Sequence, residues 1–374
     1  MVGIGIIMMA SGIYGEYGIA GALTAANTIA WAIGTAVLSN LVDRYGQRKI
    51  MLPGALISAA SLAMVVVLAI IKAPLVYLFI FAILTGLFQG SPGAMVRARW
   101  NNVLSSAHDL HTAYSLESTL DEIGFIVGPV AATWLAVSFH PVAGLVGPVI
   151  FIAGGAGLFY SLRATEPPVI RRKLATSAEN RFIALYEGLA PVLIVAFLFG
   201  SIFGSLDVSV VAATSQWGVR ENAGLILAVF SIGSALSGFL YGSRGWKSPL
   251  WKRYLFAVSL MAGSIWTLMI ASNTWTLAAF GLIVGVAVAP TFINANSLIS
   301  HLVPASRLTE GLAWLGTSIG IGVSIGSLSS GFLIDHASYT AGFMCSTISG
   351  LLALIVATAS APRLTLLTAS NQQG

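Results

Sequence analysis

Residues 39–50 read SNLVDRYGQRKI, and residues 51–71 read MLPGALISAASLAMVVVLAII. The first stretch is a charged turn, with Asp43, Arg44, Arg48 and Lys49 close together around Gly46. The second holds no Asp, Glu, Lys or Arg at all. At 1.5 Å per residue, about 20 apolar residues in a helix cross ~30 Å of hydrocarbon. A charged turn followed by such a run is the alternation of a chain that enters and leaves a bilayer. Tyr254 to Ser272 and Ala341 to Ser360 repeat it. Composition agrees: 57% of the 374 residues are hydrophobic and only 8% are charged, against roughly 25% charged in a soluble chain.

Extending the pattern gives spans at about 1–14, 19–42, 51–71, 74–96, 111–138, 141–162, 189–210, 222–242, 253–271, 275–297, 309–333 and 340–361. The basic residues orient them. If the turn at Arg44 is cytoplasmic, sixteen Lys and Arg fall on that side and only Lys72 and Arg220 on the other, as the positive-inside rule requires. The net charge of +5 is thus a loop property and not a nucleic-acid footprint. The expected location is the cell membrane, with both termini cytoplasmic if the first span is complete. Met1 to Ile13 lacks the basic flank and cleavage site of a signal peptide and is too short to span. Either the first helix lacks its cytoplasmic turns, or the chain begins inside the membrane.

The longest loop carries Pro167, Pro168 and Arg171-Arg172-Lys173, and its segment Ala175 to Leu185 reads as a helix on the membrane surface. It divides the chain into an expected six-helix half (1–163), a cytoplasmic linker (164–188), a second six-helix half (189–361) and a cytoplasmic tail (362–374). The halves echo each other. Leu41, Gly46 and Arg48 correspond to Leu240, Gly245 and Lys247 at an offset of 199, and Gly124 and Gly128 correspond to Gly322 and Gly326 at 198. The fold class expected is therefore an all-α integral membrane protein of two six-helix bundles related by a pseudo-two-fold axis along the membrane normal.

Catalytic and metal chemistry find no footing. The lone cysteine, Cys345, lies inside an apolar block and reads as a small core residue. His108, His111, His140, His301 and His336 fall in or beside loops without a metal-ligand motif; the i, i+3 pair His108 and His111 has no third ligand nearby. No enzyme activity, cofactor or metal is expected.

On these residues the chain resembles the major facilitator superfamily along essentially its whole length. That family has a G-x-L-x-D-R-x-G-R-R/K signature after its second span. Here Leu41, Asp43, Arg44, Gly46 and Arg48 match, with Ser39 in place of the first glycine and Gln47 in place of one basic residue. The resemblance implies a conformational latch at Asp43, Arg44, Gly46 and Arg48. A second signature, G-x-x-x-G-P-x-x-G-G of the family's antiporters, is matched by Gly124, Gly128 and Pro129, with Ala132 and Thr133 at the last two positions. Small residues four apart let helices approach, and proline bends the span. A third, R-x-x-Q-G in span four, survives as Gln89 and Gly90, with Gly86 where the arginine stands. The resemblance implies alternating access, and its antiporter signature implies export coupled to protons. The open alternative is a transporter-like protein with a sensing or non-transporting role.

Glu117, Asp121 and Glu122 lie within span five. A carboxylate near a bilayer's centre costs ~2.5–3.5 kcal/mol on insertion scales and faces protein or water. At 100° per residue, Glu117, Asp121, Gly124 and Gly128 share a stripe about 60° wide, with Glu122 about 100° from Asp121. Asp121 and Glu122 fall ~15 Å deep if the span starts near His111. Two readings stay open here: pairing with Arg97 or Arg99 to bind helices together, or a direct part in moving solute or protons. Depth and polarity add Asn27, Trp31, Gln89, Asn294 and Trp314 as cavity candidates, with Asn296 and Asp207 behind them. Trp100, Trp134, Trp217, Trp246, Trp251 and Trp275 read as interfacial belt residues. The expected partners are a small-molecule solute, membrane lipid and protons; a monomer is expected.

Overall fold

A computed structural model describes residues 1–168, 188–244, 246–303 and 308–370. Every regular element among them is helical. In hydrocarbon no water can satisfy a backbone N–H or C=O, so each apolar run must close its own hydrogen bonds as a helix. Among the described residues ten helical stretches are long and apolar enough to cross a membrane, and Val2–Ile13 and Ile123–Ser138 are shorter apolar helices.

The helices are α1 (Val2–Ile13), α2 (Tyr17–Tyr45), α3 (Gln47–Ile70), α4 (Leu75–Gln89), α5 (Pro92–Val103), α6 (Ala107–Ser138), α7 (Ala143–Ser161), α8 (Leu189–Gln216), α9 (Ala223–Gly242), α10 (Leu250–Ile265), α11 (Thr274–Leu302), α12 (Leu308–His336) and α13 (Tyr339–Ser370). Span four, read from sequence as one helix over 74–96, is two. Gly90 takes a φ of 61° and Pro92 starts α5 at its first turn. A proline has no N–H to donate and its fixed φ suits a helix start, so the chain breaks there and resumes. Span nine ends in a 3₁₀ turn, Trp266–Ile270. The surface helix expected at Ala175 to Leu185 lies outside the described residues, as does Gly245 of the repeat echo.

The chain divides into two units by contact, Met1–Gly15 with Leu23–Ser177, and Glu16–Ala22 with Ala178–Gly374. The first contains α1, α3 to α7 and α2 from Leu23 onward. Its smaller core cluster packs Leu38, Val42, Met51, Ala55, Met95, Ala156 and Tyr160.

The second unit contains α8 to α13 and the opening turn of α2. Its core gathers residues of α8, α10, α11 and α13, among them Leu189, Val192, Tyr254, Leu298, Ile299 and Ala353. The closest crossing is α8 on α12, where a Cβ on Gly200, Gly204, Gly322 or Gly326 would fall inside the opposing backbone. Hydroxyls complete the seam: Ser209 meets Ser330 at 3.0 Å and Ser327 donates to the Gly204 carbonyl at 3.1 Å, while Ser201 meets Ser349 of α13 at 3.0 Å. Such interhelical bonds contribute about 0.6 kcal/mol each in lipid.

Candidate functional site

α5 and α6 bring one cation to two carboxylates. Arg97 Nε lies 3.3 Å from Glu117 Oε1, and Arg97 Nη2 lies 3.7 Å from Asp121 Oδ2. The i, i+4 step from Glu117 to Asp121 puts both on one face of α6, and the short chain of Gly93 leaves room beneath: a Cβ there would stand 3.3 Å from Glu117 Oε1. The environments differ. The Glu117 side chain is 11% exposed and, among the described residues, neither oxygen has a hydrogen-bond donor, whereas Asp121 is 56% exposed and Arg97 50%. Glu122 is in α6, but its side chain is not among the described residues. Of the two cations weighed from sequence, Arg97 is the partner and Arg99 is not.

Arg99 is 5% exposed. It donates from Nε to Gln47 Oε1 at 2.9 Å and from Nη1 to the Phe159 and Leu162 carbonyls at 2.9 and 2.8 Å, and its guanidinium lies 4.0 Å over the Phe159 ring. Gln47 thereby occupies the place where the signature turn has a basic residue and meets an arginine. A second basic side chain there would face Arg99 in a buried setting, where like charges repel strongly. Glu166 completes this end by accepting from the Arg48 backbone N–H at 2.9 Å, a carboxylate at the positive end of α3. Gly46 turns the chain at φ 93°, a conformation open to glycine. Asp43 and Arg44 are exposed and, among the described residues, make no hydrogen bond or ion pair. Sequence reasoning missed Gln47 and Glu166 as partners, because both are fixed by residues distant along the chain.

A cavity of about 700 Å³ lies in the first unit, lined by Asn27, Trp31, Gln89, Phe151, Phe159 and Tyr160, with Met1 to Gly3 on one wall. Three candidates from the sequence thus share one space. Asn27 donates to the Ala82 carbonyl at 2.9 Å, leaving its own oxygen open, and Trp31 Nε1 donates to the Gly90 carbonyl at 2.8 Å, which the break between α4 and α5 exposes. Gln89, at that break, makes no hydrogen bond among the described residues. Tyr160, unmarked in the sequence, is 3% exposed and its hydroxyl has no hydrogen-bond partner among the described residues. Every lining side chain is uncharged.

The other candidates stand elsewhere. Asn294 is buried and occupied at both ends of its amide, donating to the Pro290 carbonyl at 2.8 Å and accepting from the Tyr241 hydroxyl at 3.0 Å, which joins α11 to α9. Asn296 is exposed and bonds to the Phe292 carbonyl one turn back. Trp314 packs against the core of the second unit, and Asp207 is half-buried in α8. In the first unit a Cβ on Gly128 would meet Met1, while one on Gly124 would meet nothing. Only one of the two packing glycines there has a close neighbour.

Two helical units built of apolar, membrane-length helices make this a polytopic membrane protein. The chain belongs to the Major Facilitator Superfamily, whose sequence profile matches residues 1–219 and again 192–366. Among curated proteins it is similar to a gallate transporter of Pseudomonas putida, 26% identical over 164 residues, which are 42% of this chain and 36% of that protein. The chain thus matches about a third of that relative's length. Among solved structures it is similar to a peptide transporter, POT, in complex with sulfate (TM-score 0.75, 13% identity, covering 98% of this chain and 93% of that one). It is also similar to the nucleoside transporter NupG (TM-score 0.67, 15% identity, covering 97% and 95%) and to the human organic anion transporter MFSD10 (TM-score 0.63, 15% identity, covering 90% and 83%). These likenesses are of fold.

Proposed function

We propose that this protein is a secondary transporter of the cell membrane that exchanges a small organic solute for a proton by alternating access, working as an exporter, with the signature turn cytoplasmic. The observation that carries this reading is the cluster of Arg97, Glu117 and Asp121. Two carboxylates face one cation, so the cluster holds one negative charge in excess. The excess sits toward Asp121, the exposed member, because Glu117 is the one lodged against Arg97. That surplus accepts either a proton or a donor group of a solute, and one occupant excludes the other. Mutual exclusion at a single carboxylate is the minimal arrangement for antiport. The uncharged groups of Asn27, Trp31 and Gln89 then present hydrogen bonds and an aromatic face along the solute's route.

The test begins with a thermal-shift panel of small aromatic acids, nucleosides and short peptides, the solute types named for the similar proteins. Any compound that shifts the protein is carried into counterflow in proteoliposomes. Accumulation of labelled compound against an unlabelled interior pool supports transport. Binding without counterflow in oriented, sealed vesicles favours the sensing role.

A further inference from the structure

The turn between α9 and α10 gathers cations with no carboxylate to answer them. From residue 223 to residue 309 the sequence holds no Asp or Glu and five Lys or Arg, and four of the five, Arg244, Lys247, Lys252 and Arg253, fall within ten residues. Arg244, Lys247 and Lys252 are exposed, and Nε of the half-buried Arg253 has no hydrogen-bond partner among the described residues. The ion pairs among the described residues both belong to Arg97, so these four cations meet no carboxylate. Other basic turns differ: Asp43 adjoins Arg44, and Glu117 and Asp121 face Arg97. Like charges crowded together repel, and an anion placed among them relieves that repulsion.

Aromatic side chains hold two of the cations in place. Trp246 stacks on Tyr241 with ring centroids 4.5 Å apart and donates from Nε1 to the Tyr241 carbonyl at 2.9 Å, and the Tyr241 hydroxyl donates to Asn294 of α11 at 3.0 Å. On this anchored indole rests Arg244, its guanidinium 5.4 Å from the ring centroid. On the other flank Lys252 Nζ lies 5.4 Å from the ring of Trp251, which packs against the core of the second unit. An aromatic face attracts a cation without using its N–H donors, so both cations keep theirs for a ligand. Four residues beyond Lys252, and so on the same face of α10, Phe256 is 69% exposed. Cationic donors thus stand one helical turn from an exposed apolar ring.

We infer that the α9–α10 turn docks an anionic phospholipid, its headgroup phosphate among Arg244, Lys247 and Lys252 and its acyl chains against Phe256. A basic side chain beside an anionic lipid surface strengthens association on the order of fivefold, and indoles suit the boundary between headgroups and hydrocarbon. The apolar contact beyond Lys252 favours a lipid over a free phosphate, which would gain nothing from it. The inference concerns the second unit alone and stands whether or not the protein exchanges solute for a proton.

The experiment uses the full chain in mild detergent, offered phosphatidylglycerol or the zwitterionic phosphatidylcholine, with bound lipids counted by native mass spectrometry. The parent should hold its first phosphatidylglycerol on the order of tenfold more tightly than phosphatidylcholine. Arg244→Gln with Lys247→Gln, both exposed and remote from the packed core, should weaken that binding on the order of twentyfold. Lys72→Gln, an exposed cation of another turn, should change it by less than about twofold. If the double variant is not monodisperse, Lys247→Gln alone is read, with a loss near fivefold. Phosphatidylglycerol held equally well by the parent and by the variant overturns the site, as does a parent that holds both lipids equally. In a further arm glycerol 3-phosphate is added at the same concentration as phosphatidylglycerol; displacement of the lipid would make this a site for free phosphate and contradict the inference, whereas an undisturbed lipid supports it.

Discussion

Glu117 lies against Arg97 at 3.3 Å with both its oxygens buried, and among the described residues no hydrogen-bond donor reaches either of them. The cation is what makes an ionised carboxylate tolerable at that position. Arg97→Gln should therefore lower the thermal stability of the purified protein, and Arg97→Gln with Glu117→Gln should lower it by less than the two single changes together. Because Arg97 is half exposed, screening limits the coupling to about 0.5–1 kcal/mol. Additive losses in a thermal-unfolding cycle would mean that the two side chains do not support each other.

The proposed orientation rests on the sequence count of sixteen basic residues on one side against two on the other. With Cys345→Ala as background, Tyr45→Cys should react with an impermeant reagent only from the cytoplasmic side, and Ser272→Cys only from the outside. Both positions are exposed, so access and not burial governs the result. Reaction of both from the outside would reverse or break the topology.

Among the described residues Asp43 has no hydrogen-bond or ion-pair partner, so its removal should cost the fold little. Asp43→Asn should leave the melting temperature unchanged while shifting the conformational equilibrium by ~1–3 kcal/mol and slowing counterflow. A fall in melting temperature with normal counterflow would make Asp43 a structural residue.

The crossing of α8 on α12 gives a stability prediction with an internal control. Gly326→Ala places a methyl group inside the Ser201 carbonyl and should cost about 1–3 kcal/mol. Gly316→Ala, on the same helix, meets nothing within 4 Å and should be neutral or slightly stabilising. Equal melting temperatures for the two variants would contradict the close crossing.

The spans were legible in the sequence because hydrocarbon leaves the backbone one solution, and the apolar runs announce it. The break in span four was carried by Gly90 and Pro92 yet masked by the apolar residues around them, since hydropathy measures length and not continuity. The stripe of Glu117 and Asp121 was legible because both lie on one helix, where spacing alone fixes direction. Their cation was narrowed to Arg97 or Arg99, and which one faces α6 depends on how α5 is rotated after its break. Asn294 looked like a cavity residue by depth, but an amide in a helix serves a neighbouring helix equally well, and Tyr241 claims it. Tyr160 gave no signal at all: it resembles any aromatic residue at a span end.

The most direct test of the account is solute flux into proteoliposomes with and without an imposed pH gradient, compared between the wild type and Asp121→Asn. The compound is one that shifts the melting temperature of both proteins. The wild type should respond to the gradient, and Asp121→Asn should lose that response while keeping counterflow, because the surplus carboxylate that a proton and the solute share is gone. Full gradient-driven flux in Asp121→Asn, with normal binding and yield, would contradict exchange at this cluster and leave Arg97, Glu117 and Asp121 as a helix-binding pair.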